Sequence, residues 1–378
     1  MQRLALILAL AFGGSAATAS GQQATTGQRP QEPKPPFPYR SIEVQYANPA
    51  APGVTLAATL TLPPGKGSSP AALLIGGSGQ SPRDQPFLGH RMMLVLADYL
   101  TRLGIGTLRF DDRGAGQSTL GETRIEDLTT QDFVSDARAG LAFLQTRPEI
   151  NRRRIGLIAH SEGTQTAEII AATSPEDVAF IVLLAAASAS LTKGEIVVAQ
   201  SEAMARLAGL SAEAQAADRD FVRRALVVTR SQPDGQKRVR EITAIAEDAL
   251  TRVPAKERAA VEPGIRARVE ILASDNFHQD AVTARRDYLS EVRAPVLALN
   301  GDKDVLVSAE QNAPLLGSSL EGNQNGTVRV LPGVNHMFQT AKTGAMEEVG
   351  GIEETFAPSA LQLIGDWIAE RGAVPWTS

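Results

Sequence analysis

The chain has 378 residues, a formal net charge of −5 and a 43% hydrophobic fraction. This length allows one large domain or two smaller ones with an ample buried core, and the mild acidity, without any Lys/Arg block, argues against nucleic acid as a partner. The chain has no cysteine, which removes disulfides, lipid attachment, Cys-based metal sites and a thiol nucleophile together.

In chain order, residues 1–19 read as a signal peptide. Arg3 supplies the positive start, Leu4 to Phe12 the short apolar run, and Ala17-Thr18-Ala19 the small-residue cleavage pattern. The run is far shorter than the ~20 apolar residues a membrane span needs. The mature protein is therefore expected to be periplasmic or secreted, with no stable membrane anchor. Residues 20–38 are rich in Gln, Pro and Thr and read as a flexible leader.

From residue 39 the pattern becomes that of an α/β domain. Strands are expected over Ser41–Tyr46, Val54–Leu62 and Ala71–Ile75, then a helix over Phe87–Leu103. Strands Ile105–Phe110, Arg154–Ala159 and Val178–Leu184 then alternate with helices Thr130–Gln145 and Ser161–Ala172. This rhythm implies a parallel sheet with helices on both faces. Over 187–292 it breaks into Ala-, Arg- and Glu-rich sequence with helical spacing, read as a helical insertion capping the top edge of the sheet. It resumes with strands Pro295–Asn300 and Thr327–Leu331 and helices Ala309–Leu320 and Pro358–Arg371. The predicted domain is thus 39–186 plus 293–378, interrupted by a cap.

The strongest chemical signal is Ala159-His160-Ser161-Glu162-Gly163, between an expected strand and an expected helix. It is the nucleophile-elbow pattern with its first Gly replaced by Ala. The tight turn needs small residues two before and two after the Ser, and it holds the hydroxyl at the edge of the sheet. A serine hydroxyl is a weak nucleophile and needs a base within hydrogen-bond reach. The chain has four histidines. His160 is expected to point away on the turn, His90 falls in the first helix and His278 in the insertion. His336 follows the last strand, where the base of such a triad belongs. The orienting acid is expected after the preceding strand, in Gly301-Asp302-Lys303-Asp304; Asp304 is preferred, with Asp302 left to make turn hydrogen bonds. The N–H groups of Glu162 and of Ser78, in Gly76-Gly77-Ser78-Gly79, are the candidate oxyanion donors. No P-loop, complete dinucleotide fingerprint or metal-ligand spacing occurs, so neither cofactor nor metal is expected.

These residues carry a family resemblance. The chain resembles bacterial α/β-hydrolases of the EstD esterase type, also described as dienelactone-hydrolase-like. The matching segments are Ile75–Gly79, Leu108–Gly114, Gly156–Gly163, Leu299–Asp304, Asn335–Gln339 and Gly351–Pro358. The resemblance covers the sheet domain from about Ser41 to the end. It implies the α/β-hydrolase fold, a mostly parallel central sheet flanked by helices and carrying a helical cap, and a catalytic triad on Ser161, Asp304 and His336. It also implies hydrolysis of short acyl esters, so the expected partner is a small-molecule ester. The sequence departs from the family at Gly76, where relatives often have His. It departs again at Ser274–His278, where an aromatic motif is expected. Within the cap, Met204, Leu207 and Phe277 are the candidate substrate-binding residues. A peptidase or an acyltransferase would share fold and triad. A non-catalytic binding protein would have lost a triad member, and none is missing.

Overall fold

The computed structural model describes residues 29–371, apart from 66 and 284. The expected signal peptide lies outside the described residues. In the leader, Arg29 donates to the carbonyls of Ile352 at 2.7 Å and Gly350 at 2.9 Å, and the Gln31 amide bonds the backbone of Phe356. These residues of the expected flexible leader are docked, because an Arg fork can satisfy several otherwise open carbonyls at once.

Eight strands form one sheet. They are β1 (Arg40–Ala47), β2 (Thr55–Leu62), β3 (Ser69–Ile75), β6 (Gly106–Phe110), β7 (Ile150–His160), β8 (Ile181–Leu184), β9 (Val296–Gly301) and β10 (Gly326–Leu331). Their order is β1-β2-β6-β3-β7-β8-β9-β10. β2 runs antiparallel to both its neighbours, and every pair from β6 to β10 is parallel. The central strands carry apolar runs, such as Ala71–Ile75, Ile155–Ala159 and Ile181–Leu184, because both faces are covered there. Successive side chains enter opposite cores, as the two-residue period requires. Leu73, Leu157, Leu183 and Ala298 face a layer with α2 (Thr130–Gln145), α3 (Gly163–Thr173) and α9 (Ala309–Ser319). Leu74, Ile158, Val182 and Leu297 face the other, with α1 (Met92–Arg102), α10 (Met346–Val349) and α11 (Pro358–Arg371).

The helix expected over Phe87–Leu103 begins only at Met92. Ahead of it β4 (Pro86–Phe87) and β5 (His90–Arg91) form a tiny hairpin. Its two turn residues, Leu88 and Gly89, both have positive φ, which turns of this kind demand and a helix forbids. His90 therefore sits in a strand. The elbow helix likewise starts at Gly163, after Ser161.

Between β8 and β9 lie α4 (Lys193–Leu207), α5 (Ala212–Ser231), α6 (Gly235–Arg252), α7 (Ala255–Ala273) and α8 (Asp275–Val282). α4 opens with a Thr192–Glu195 capping box. These helices bury a core of their own around Phe221, Ile242, Ile265 and Leu272. None of the described helices is long and apolar enough to cross a membrane.

Candidate active site

β7 ends at His160, and the next residue, Ser161, has φ 53°. An L-residue adopts this left-handed conformation only when its surroundings impose it. Here the Ser161 N–H is held by the Leu184 carbonyl of β8 at 2.8 Å. The Ser161 carbonyl in turn accepts from the Thr164 N–H at 3.0 Å and its hydroxyl at 2.7 Å. Gly163 is required because a Cβ there would collide with the Gly76 carbonyl. The loop after β3 consequently lies against the elbow: a Cβ on Gly77 would stand 3.2 Å from that of Ser161.

Loops after β9 and β10 bring the other two groups. His336 Nε2 lies 3.1 Å from Ser161 Oγ, and His336 Nδ1 lies 2.8 Å from Asp304 Oδ2. The second Asp304 oxygen accepts the N–H groups of Leu306 and Val307, each at 2.8 Å. A carboxylate only accepts, so Nδ1 carries the imidazole proton and Nε2 is left to accept from the serine hydroxyl. Asp302 does something else: its Oδ1 accepts the Gly333 N–H at 2.6 Å, tying the two loops together. Ser161, Asp304 and His336 are all buried.

His160 does not simply point away from the site. Its Nε2 donates to the backbone carbonyl of His336 at 2.9 Å, and its Nδ1 accepts from the Gln85 amide at 3.3 Å. The two imidazole rings are 4.9 Å apart. Burial, and then the neighbouring His336, push the pKa of His160 down to about 3, so it stays neutral. Asn335 and Gln339 were also missed. Their side chains bond each other at 3.1 Å, and Asn335 Oδ1 accepts the Gln339 N–H at 2.9 Å, closing the turn that carries His336. The available signal was a pair of amides flanking the histidine in a loop that lacks charge.

The remaining candidates separate. Ser78 is buried on the loop beside Ser161, and the side chain of Glu162 is exposed at the start of α3. Met204 is half-buried against the core that contains Met337 and Phe338. Leu207 is exposed and lines a groove of about 1070 Å³ between α4 and the loop bearing Asp304. Phe277 requires a correction: it is buried in the core of the helical layer, with the Lys193 ammonium 5.5 Å from its ring centre. An aromatic that large, 1% exposed, fills the core of its own bundle and is not free to line a substrate pocket. Among the described residues no group of three or more His, Asp or Glu could hold a metal ion.

A family model described as serine aminopeptidase, S33, matches residues 90–341. No curated protein matches the chain. Among solved structures, an α/β-hydrolase from Penicillium sp. sh18 is similar at 17% identity, over 89% of this chain and 100% of that one, with a TM-score of 0.50. A dienelactone hydrolase from Anabaena variabilis is similar at 16% identity, over 89% and 99% of the chains, with a TM-score of 0.47. An esterase from Pyrococcus furiosus is similar at 14% identity, over 89% and 94%, with a TM-score of 0.46. The first of these likenesses bears on the fold alone. The family match takes in the elbow, the acid loop and the histidine loop, and the chain belongs to the serine hydrolase family described as serine aminopeptidase, S33, on the α/β-hydrolase fold.

Proposed function

We propose that the protein hydrolyses carboxylic esters of short acyl chains, with Ser161 as nucleophile, His336 as general base and Asp304 as its orienting acid. The hydrogen-bonded line from Ser161 Oγ through His336 to Asp304 carries this reading. His336 takes the hydroxyl proton as Ser161 attacks the ester carbonyl. The N–H groups of Glu162 and Ser78 are the proposed donors to the oxyanion. Collapse of the tetrahedral intermediate breaks the C–O bond, and the alcohol leaves with the proton from His336. Water, activated by the same base, then cleaves the acyl-enzyme. Helices α4–α8 act as a cap over the reacting edge, and export to the periplasm or medium follows from the signal-like start of the chain.

A second reading is amide hydrolysis at a peptide N-terminus, favoured by the description of the matching family. Purified protein assayed on short nitrophenyl esters and on aminoacyl nitroanilides separates the two. The ester reading expects turnover of acetyl and butyryl esters and little of the anilides. The reverse order would replace it with the peptidase.

A further inference from the structure

The hydrolytic reading leaves one buried carboxyl, on the loop after β6, without a task. Asp112 lies two residues past the end of that strand at Phe110, and it is 8% exposed. Its Oδ2 accepts the Ser81 N–H at 3.0 Å; its Oδ1 has no hydrogen-bond partner among the described residues. The acids around it are matched. Asp111 is held by Arg83 at 2.9 and 2.7 Å, and Asp136 by Arg113 at 2.6 and 2.9 Å. No cation is matched to Asp112. An unpaired carboxyl is costly to bury, and burial, with Asp136 and Asp111 adding to it against the Ser81 hydrogen bond, pushes its pKa up to about 7.

The carboxyl lines a cavity of about 30 Å³ whose other walls include Gly77, Phe110, Phe133 and Glu162. That is room for one group the size of a water molecule. The lining residues include Asp112, Thr130 and Thr166 and no Lys, Arg or His. It adjoins the reacting centre, because Gly77 packs on Ser161 and Glu162 follows Ser161 in the chain.

Resting on the serine-hydrolase reading, we propose that Asp112 is a specificity residue whose open Oδ1 accepts a hydrogen bond from a donor, hydroxyl or ammonium, on the carbon next to the substrate's ester carbonyl. The chemistry recognised is a small polar acyl group in place of a plain alkyl one. A buried carboxyl with one oxygen left open favours a donor over the methyl group of the same size.

Ethyl propionate, ethyl glycolate and ethyl glycinate place a methyl, a hydroxyl and an ammonium at that one position. Their kcat/KM values, each divided by the rate of hydroxide-catalysed hydrolysis, form the test. The wild-type protein is expected to favour glycolate or glycinate over propionate by about tenfold, the worth of one hydrogen bond to a charged group; the better of the two identifies the donor. Asp112→Ala is expected to bring all three to parity. In Asp112→Asn the Ser81 N–H keeps its acceptor and an amide N–H₂ faces the cavity, so a preference for glycinate is lost. Turnover of all three esters without preference in the wild type overturns the proposal. So does a parallel fall for all three in Asp112→Asn, which would make the residue structural. Turnover of none overturns the ester-hydrolase reading itself and this proposal with it.

Discussion

His336 is held from three sides: Asp304 grips Nδ1, His160 grips the backbone carbonyl, and the Asn335–Gln339 pair closes the turn. Asp304→Asn puts a donor where an acceptor is needed and stabilises the wrong tautomer, so kcat is expected to fall by roughly three to four orders of magnitude. Asp302→Asn keeps an oxygen for the Gly333 N–H and is expected to change kcat little; equal losses in steady-state assays would contradict this division. His160→Leu removes the donor to the His336 carbonyl and is expected to lower kcat about tenfold with KM unchanged, from the loss of one buried hydrogen bond. His160→Gln, whose amide can donate in its place, should recover part of that. Unchanged kcat in His160→Leu would strip His160 of its positioning role. Ser161 and His336 stand out in the sequence because each lies in a short segment with its own signature. His160 does not, since its partner is 176 residues away and nothing local names it.

At the scale of elements, α2 and α11 occupy the spans expected of them. A capping box at Thr129 and Asp132 marks the start of one, and Pro358 the start of the other. α1 was misread because the apolar spacing of Phe87 and Leu88 fits a helix until the positive φ of Leu88 is known. Periodicity was also blind to the buried ion pairs that join helices, such as Arg268 of α7 with Asp218 of α5. Phe277, only 1% exposed, belongs to packing. Phe277→Ala should cost about 3–5 kcal/mol in chemical denaturation, while Leu207→Ala, exposed on α4, should stay within about 0.5 kcal/mol. Similar costs for both would contradict the correction at Phe277. On α3, burial raises the Glu168 pKa from its usual 4.5 to about 8, Arg285 opposing and Asp287 adding to the shift. The unfolded chain releases this proton first. The stability Glu168 contributes is therefore full below pH 4.5 and is lost as pH rises toward 8. Asp112 titrates in an overlapping range, so the difference between variants is the measure. Glu168→Gln should lose less stability than the wild type between pH 5 and pH 8, and identical pH slopes would contradict the shift.

Across the whole molecule, the mostly parallel sheet with helices on both faces was legible because buried parallel strands read as short apolar runs between helical periods. The docking of Arg29 against residues 350–352 was not, since those partners lie at the opposite end of the chain. The same sheet brings together three loops, after β7, β9 and β10, at its C-terminal edge, the place where open α/β sheets gather their ligand sites. Their convergence on one hydroxyl is the central claim, and a fluorophosphonate probe reads that hydroxyl directly. Mass spectrometry of the labelled protein should find one adduct per chain, on the peptide containing Ser161. Ser161→Ala should take no label and lose ester hydrolysis by several orders of magnitude while remaining folded. An adduct on another residue, or a Ser161→Ala protein that keeps more than a few per cent of the activity, would contradict the account.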